Sequence, residues 1–195
     1  MSAIAASLSF NGSPVTGSRC EKILRGLAPY GSGKPSSWTA GSVAVGCDLR
    51  ASLPEDAFDR QPATSRDERY ALVADIRLDN RLELAELLGL TQTAAPSLSD
   101  CAILLEAICR WGMDALDHLT GVFAFVLWDA RLRRLHLARD PVGERPLFFY
   151  RGSDFVAVAS MPRGLHALSE VPYEVNEERV AQVMVPITGS TDETF

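Results

Sequence analysis

The stretch Gly121–Tyr150, GVFAFVLWDARLRRLHLARDPVGERPLFFY, constrains the fold more than any other part of the chain. It holds two apolar runs, Val122–Trp128 and Leu135–Ala138, with Asp129, Ala130, Arg131, Leu132 and Arg133 between them. Phe123, Phe125 and Leu127 alternate with Val122, Ala124 and Val126, so a strand here is apolar on both faces. Such a strand needs cover on both sides, from helices or a second sheet. The charged link reads as a hairpin loop, and Pro141-Val-Gly143 as a second turn. The stretch is therefore the centre of a layered core, and a functional site belongs on its rim.

At 195 residues the chain fits one domain with ample surface to bury. A net charge of −6 and the lack of any basic run argue against nucleic acid as a partner. No apolar run reaches the roughly 18 residues of a membrane span. The start, Met1-Ser-Ala-Ile, lacks the basic n-region of a signal peptide. Cys20, Cys47, Cys101 and Cys109 show no CxxC spacing, which suits free, mostly buried thiols in a reducing cytoplasm. His118, His136 and His166 are isolated and fit no metal-ligand spacing.

In chain order, a strand near 3–10 ends at Asn11-Gly12, a hairpin-turn signal. A short amphipathic helix spans Arg19–Leu27, and the Gly-, Pro- and Ser-rich residues 28–42 read as a surface loop holding a partly exposed Trp38. Val43–Cys47 is a strand, followed by an irregular arm through Pro54 and Pro62. Tyr70–Ile76 is a buried strand, and a helix over Leu82–Leu88 stops at Gly89. Ser99 or Asp100 caps a helix over Ala102–Trp111 with an apolar stripe, and Met113–Leu119 forms another. After Gly121–Tyr150 come a strand at Phe155–Ala159 and a last helix from Asn176 to Met184. Asp129, Arg139, Asp140 and Arg145 read as turn-fixing residues, as do Arg77, Asp79, Asn80 and Arg81, which could also line a pocket mouth. Strands near 3–10, 43–47, 70–76, 122–128, 134–139, 146–151 and 155–159, joined by tight turns, make antiparallel sheets with helices outside.

The motif order resembles the asparagine synthetase family. GVFAFVLWD…LHLARDPVGERPLFFY is similar to that family's G-x-FAFALWD…LFLARDxxGxKPLYY signature. LVADIRLDNRLEL and SDCAILLEAICRWG resemble two further segments, and the likeness runs from residue 1 to about 190. The resemblance implies an α+β fold of the N-terminal nucleophile (Ntn) hydrolase type, a four-layer αββα sandwich of two antiparallel sheets. It also implies a glutamine amidotransferase-like domain over 1–190, with 191–195 starting a linker to a C-terminal ATP-dependent synthetase domain. That domain would be the partner and the place for ATP and Mg, since the chain has no SGGxDS loop and no cofactor is expected in it.

By the same resemblance, the glutaminase site has departed from its pattern. Family members begin Met-Cys-Gly-Ile, with the cysteine as nucleophile and its own amine as base; here Ser2 stands in that position. Asp48 falls where an Arg binds the substrate carboxylate, and Tyr30-Gly-Ser-Gly33 replaces an R-G-P-D loop. Asp75 and Ile76 replace the Asn-Gly pair that supplies oxyanion donors. Asp100 keeps the position that holds the substrate amine, and Ala159-Ser-Met161 departs from A-S-E-x-K-A-L. An ionised Asp repels an oxyanion, and losing one such donor typically costs 10²–10³ in rate. The expectation is a degenerate pocket of Ser2, Asp48, Asp75, Ile76 and Asp100.

Within the family the likeness is to the lasso-peptide cyclases, which close an isopeptide macrolactam with an amine already on the substrate. A precursor peptide and a leader-peptide protease would then be partners. Two alternatives stand beside it: a glutamine-hydrolysing amidotransferase with Ser2 as nucleophile, and a non-catalytic scaffold of the same fold.

Overall fold

A computed structural model describes residues 1–12, 18–51, 54–90 and 98–184. Nine strands form two sheets among these residues: β1 (Ala3–Ser9), β2 (Ser36–Ala40), β3 (Val43–Asp48), β4 (Ala63–Thr64), β5 (Tyr70–Leu78), β6 (Gly121–Asp129), β7 (Arg134–Arg139), β8 (Phe148–Arg151) and β9 (Phe155–Ala159). One sheet has the order β2-β3-β1-β9-β8 and the other β4-β5-β6-β7, with every pair antiparallel. The helices are α1 (Ser18–Gly26), α2 (Arg81–Leu87), α3 (Asp100–Trp111), α4 (Pro162–Leu165) and α5 (Glu177–Met184).

Strand alternation sorts the apolar residues into three cores. Ile4, Ala6, Val45, Val73, Val126 and Trp128 meet between the sheets. Leu72, Phe123, Phe125 and Leu127 point the other way, onto Ile103, Leu104, Ala107 and Ile108 of α3. Ala3, Ala5, Ala44 and Ala157 face Ile23, Leu24 and Leu27 on and beside α1, with Leu165 of α4. Helix, sheet, sheet, helix: these are the four layers that the two-faced apolarity of β6 demands. The sheet residues that face α1 are small, which lets Ile23 and Leu24 lie close on the sheet; a Cβ on Gly46 of β3 would lie 2.9 Å from Leu24 Cδ1.

Several local features differ from the sequence reading. Residues 28–42 are not all loop: Ser36–Ala40 forms β2, an almost wholly exposed edge strand with no burial pattern to mark it. It pairs with β3 through a two-residue Gly41-Ser42 turn in which Gly41 has φ +55°. Asn11-Gly12 does not close a hairpin, since the partners of β1 are β3 and β9 and the chain goes on to α1. The arm after β3 carries a 3₁₀ turn, Pro54–Phe58, and the short β4, while Gly112–His118 is 3₁₀ rather than α-helical. Ser99 is the N-cap of α3, accepting from Ala102 N at 3.1 Å. Gly89, at φ +71°, follows α2 as expected. The linker expected at 191–195 lies outside the described residues.

The turns of the central stretch are fixed by carboxylates. Asp129 Oδ1 accepts from Arg131 N at 2.9 Å and Leu132 N at 3.0 Å, and Arg69 Nη2 donates to its Oδ2 at 2.8 Å. Asp140 accepts from Phe123 N, Glu144 N and Arg145 N at 3.3, 3.0 and 3.1 Å, tying the Pro141-Val-Gly143 turn to β6. Cys20, Cys47 and Cys101 are buried free thiols and Cys109 is exposed. Burial, with the charge of Asp59 and Asp48, pushes the Cys47 thiol up to about 11 against the Ser36 hydrogen bond. No helix among the described residues is long and apolar enough to cross a membrane.

Candidate active site

A cavity of about 260 Å³ lies at the start of β1. Its wall includes Met1, Ser2, Arg50, Asp59, Asp75, Ile76 and Arg145. Ile4 and Ala6 hold the inter-sheet face of β1, and Ser2, just before the strand and two residues from Ile4, falls on the same side. Asp75 reaches the cavity from the opposite sheet, on the same face of β5 as Ala71 and Val73. The two residues thus meet across the sandwich: Ser2 N donates to Asp75 Oδ1 at 2.9 Å. Ser2 Oγ accepts from Arg50 N at 3.1 Å.

Asp75 is buried and only half satisfied. Its Oδ2 has no hydrogen-bond partner, and neither does Nε of Arg145, 3.7 Å away. Burial pushes the Asp75 carboxyl up, and the Ser2 N–H and the Arg145 charge offset only part of the rise. Arg145 is aimed here by the Asp140-anchored turn, whose oxygens receive its backbone N–H. Asp59 approaches from the arm after β3. Its Oδ2 accepts from Gln61 Nε2 at 2.8 Å, while Gln61 pairs with Ala74 N and O like an extra strand residue. Burial also raises the Asp59 carboxyl.

Two expected pocket residues are elsewhere. Asp48 pairs in register with Ala3, which points it to the α1 side of the sheet, away from Ser2. There it closes the Tyr30–Gly33 turn, accepting from Ser32 N, Gly33 N and Lys34 N at 2.8, 3.0 and 3.2 Å. Burial works against ionisation, but these donors and the Ser32 hydroxyl outweigh it and hold Asp48 below the usual carboxylate range. Gly31 is required beside it, because any Cβ would run into the Asp48 carboxylate. Asp100 is engaged within the chain: Arg81 Nε donates to Oδ1 at 2.9 Å and Leu78 N to Oδ2 at 2.8 Å. The structure brings Ser2, Asp75 and Ile76 to one cavity and does not bring Asp48 and Asp100 there.

Arg50, Asp56, Asp59 and Arg145 are charged wall residues that the sequence reading did not assign to the pocket. Strand parity would put Arg50 on the face of Asp48, away from the cavity, and it reaches the wall only because β3 ends at Asp48. Nothing local marks Arg145, which reads as part of a turn, or Asp59, which depends on the Gln61 side chain for its place.

Two antiparallel sheets stacked between helices in four layers are the Ntn-hydrolase type of fold. The same architecture is found in the glutamine phosphoribosylpyrophosphate amidotransferase of Bacillus subtilis, with TM-score 0.66 at 19% identity, over 85% of this chain and 43% of that one. The chain belongs to the glutamine amidotransferase domain family, which it matches over residues 1–195. A putative glutamine-hydrolysing asparagine synthetase of Mycobacterium bovis is 35% identical over 164 residues, 78% of this chain and 24% of that protein. Asparagine synthetase 3 of Bacillus subtilis is 34% identical over 139 residues, 70% of this chain and 22% of that protein. The chain thus spans about a quarter of the length of these relatives.

Proposed function

We propose that this chain is the N-terminal domain of an asparagine-synthetase-like, ATP-dependent amide-bond-forming enzyme whose glutamine pocket no longer hydrolyses glutamine. The observation that carries this is the buried Asp75 carboxylate 2.9 Å from the Ser2 nitrogen. An oxyanion formed by attack of Ser2 would develop beside a negative charge rather than a donor, where one lost donor alone costs about 10²–10³ in rate. The hydroxyl is also far harder to ionise than a thiol near pKa 8.5. Both oxygens of Asp100 already accept from Arg81 and Leu78, and Asp100 does not line the cavity that holds Ser2.

With no ammonia supplied here, the nucleophilic amine belongs to the substrate. The reading we favour is a lasso-peptide cyclase, joining an activated side-chain carboxyl to the peptide's own amine. ATP and Mg would act beyond this chain, which lacks an SGGxDS loop for them. Ser2 on the cavity wall, and relatives named as glutamine-hydrolysing, support the second reading, a serine glutaminase. Glutamate release from glutamine separates the two. We expect none above a Ser2→Ala control; release abolished by that substitution would establish the second reading. Precursor-peptide-dependent ATP–pyrophosphate exchange by the full-length enzyme is expected for the cyclase, and its absence with every candidate peptide would leave a scaffold.

A further inference from the structure

We infer that Asp75 is an amine lock: when Ser2 carries a free α-amine, the Asp75 carboxylate holds it as an ammonium and so removes the base that attack by Ser2 would need. This rests on the reading that hydrolysis is lost, and it names the residue responsible. The free amine arises by hydrolysis of the Met1–Ser2 peptide bond. Water adds across that bond, methionine leaves with the carboxyl group, and the Ser2 nitrogen takes up protons to become –NH₃⁺.

The geometry is already set. With Met1 in place the Ser2 nitrogen has one proton, and it goes to Asp75 Oδ1 at 2.9 Å. The second oxygen of a carboxylate nine-tenths buried is left without a donor, an expensive arrangement in a protein interior. An ammonium has three protons on the same nitrogen, so it serves Oδ1 and can turn another toward Oδ2. Loss of Met1, itself part of the cavity wall, leaves space for that reorientation. Met1 already contributes a favourable charge at Asp75 through its own amino group, and bringing the charge one residue nearer strengthens it.

The charged groups around the pair come from every side. Arg145 lies 3.7 Å from Asp75 Oδ2, on the loop after β7, and competes for it. Arg50 follows β3 and Arg77 lies on β5, where it pairs with Asp79 at 3.6 Å. Asp56 and Asp59, from the arm, add negative charge at the same cavity. Burial alone pushes an ammonium toward its neutral form. A carboxylate in direct contact pushes the other way, typically by enough to change the neutral fraction about tenfold or more. An asparagine in place of Asp75 keeps the acceptor for Ser2 but lacks the charge, so it would leave the amine free to act as a base.

The test uses the whole chain released from a cleavable fusion with Ser2 first, its N-terminus verified by intact mass. The probe is selective α-amine acylation, followed against pH by mass spectrometry. An ordinary α-amine titrates near 7.7–8.0. We expect acylation at pH 8 to be at least about tenfold slower than in Asp75→Asn. Arg145→Met, which removes the competing cation without touching Ser2, should slow it further. An amine titrating near 8 in the unsubstituted chain overturns the lock, as does equal reactivity in Asp75→Asn or faster reaction in Arg145→Met. Glutamate release, measured on the same preparations, answers a separate question. If the unsubstituted chain releases glutamate, the reading of lost hydrolysis fails, whatever the amine titration shows.

Discussion

Single carboxylates decide what this chain can do, and their pH behaviour divides them into two kinds. Asp48, Asp129 and Asp140 are held below the ordinary carboxylate range, because multiple N–H donors, and for Asp129 also Arg69, outweigh the effect of burial. Their contribution to stability is complete above the unfolded pKa near 3.9 and is lost as pH falls through the lower folded values. Asp129→Ala should destabilise the fold by about 1–3 kcal/mol in urea denaturation at pH 7, and by less at pH 3. Asp75 has the opposite sign: its folded carboxyl binds a proton at higher pH than the unfolded one. In the chain that retains Met1, stability therefore falls as pH rises through that window, and the loss persists to neutral pH. Asp75→Asn in that chain is expected to raise the urea midpoint at pH 7, with the gain shrinking in acid. A lower midpoint at pH 7 would mean that Arg145 stabilises the charge more than burial opposes it. The sequence showed that these residues were unusual but not where they pointed. Asp48 and Ser2 are sheet neighbours on opposite faces, a difference of one residue in register that no motif records.

Among elements, those with a burial pattern were legible and those without were not. β6 and β5 announce themselves by composition, and α3 by its cap and stripe. β2 is exposed at four of its five positions, so it reads as loop until β3 offers it a partner. β4 has two residues, and its extension is made by the Gln61 side chain, which no periodicity can predict. Close packing between elements was equally hidden. α1 and α4 touch through glycines: a Cβ on Gly164 would lie 2.8 Å from Leu27 Cγ, and one on Gly26 2.9 Å from Ala167 Cβ. Gly164→Ala should therefore force the helical layer apart and lower stability by about 1–3 kcal/mol, read as a drop in thermal midpoint. Phe125→Ala empties the centre of the core beneath α3, where the side chain is fully buried, and is expected to lower stability by about 3–5 kcal/mol.

At the scale of the whole molecule, the sandwich joins distant parts of the chain: β1 lies between β3 and β9, and each sheet mixes early and late strands. Neither complete sheet can form from one half of the sequence, so the domain should unfold as one unit. Trp128 lies between the sheets and Trp111 at the end of α3, in different layers. Single-tryptophan variants retaining one or the other should give coincident urea transitions; separated midpoints would show that the α3 layer melts alone. The four thiols supply a second, independent clock. Cys20, Cys47 and Cys101 sit in the three different cores, while Cys109 stands on the outside of α3. An alkylating reagent should thus add one label to the folded chain promptly and the other three only when the layers part. The interval between the first label and the rest measures how long the native sandwich stays shut, in seconds or days, with no denaturant present.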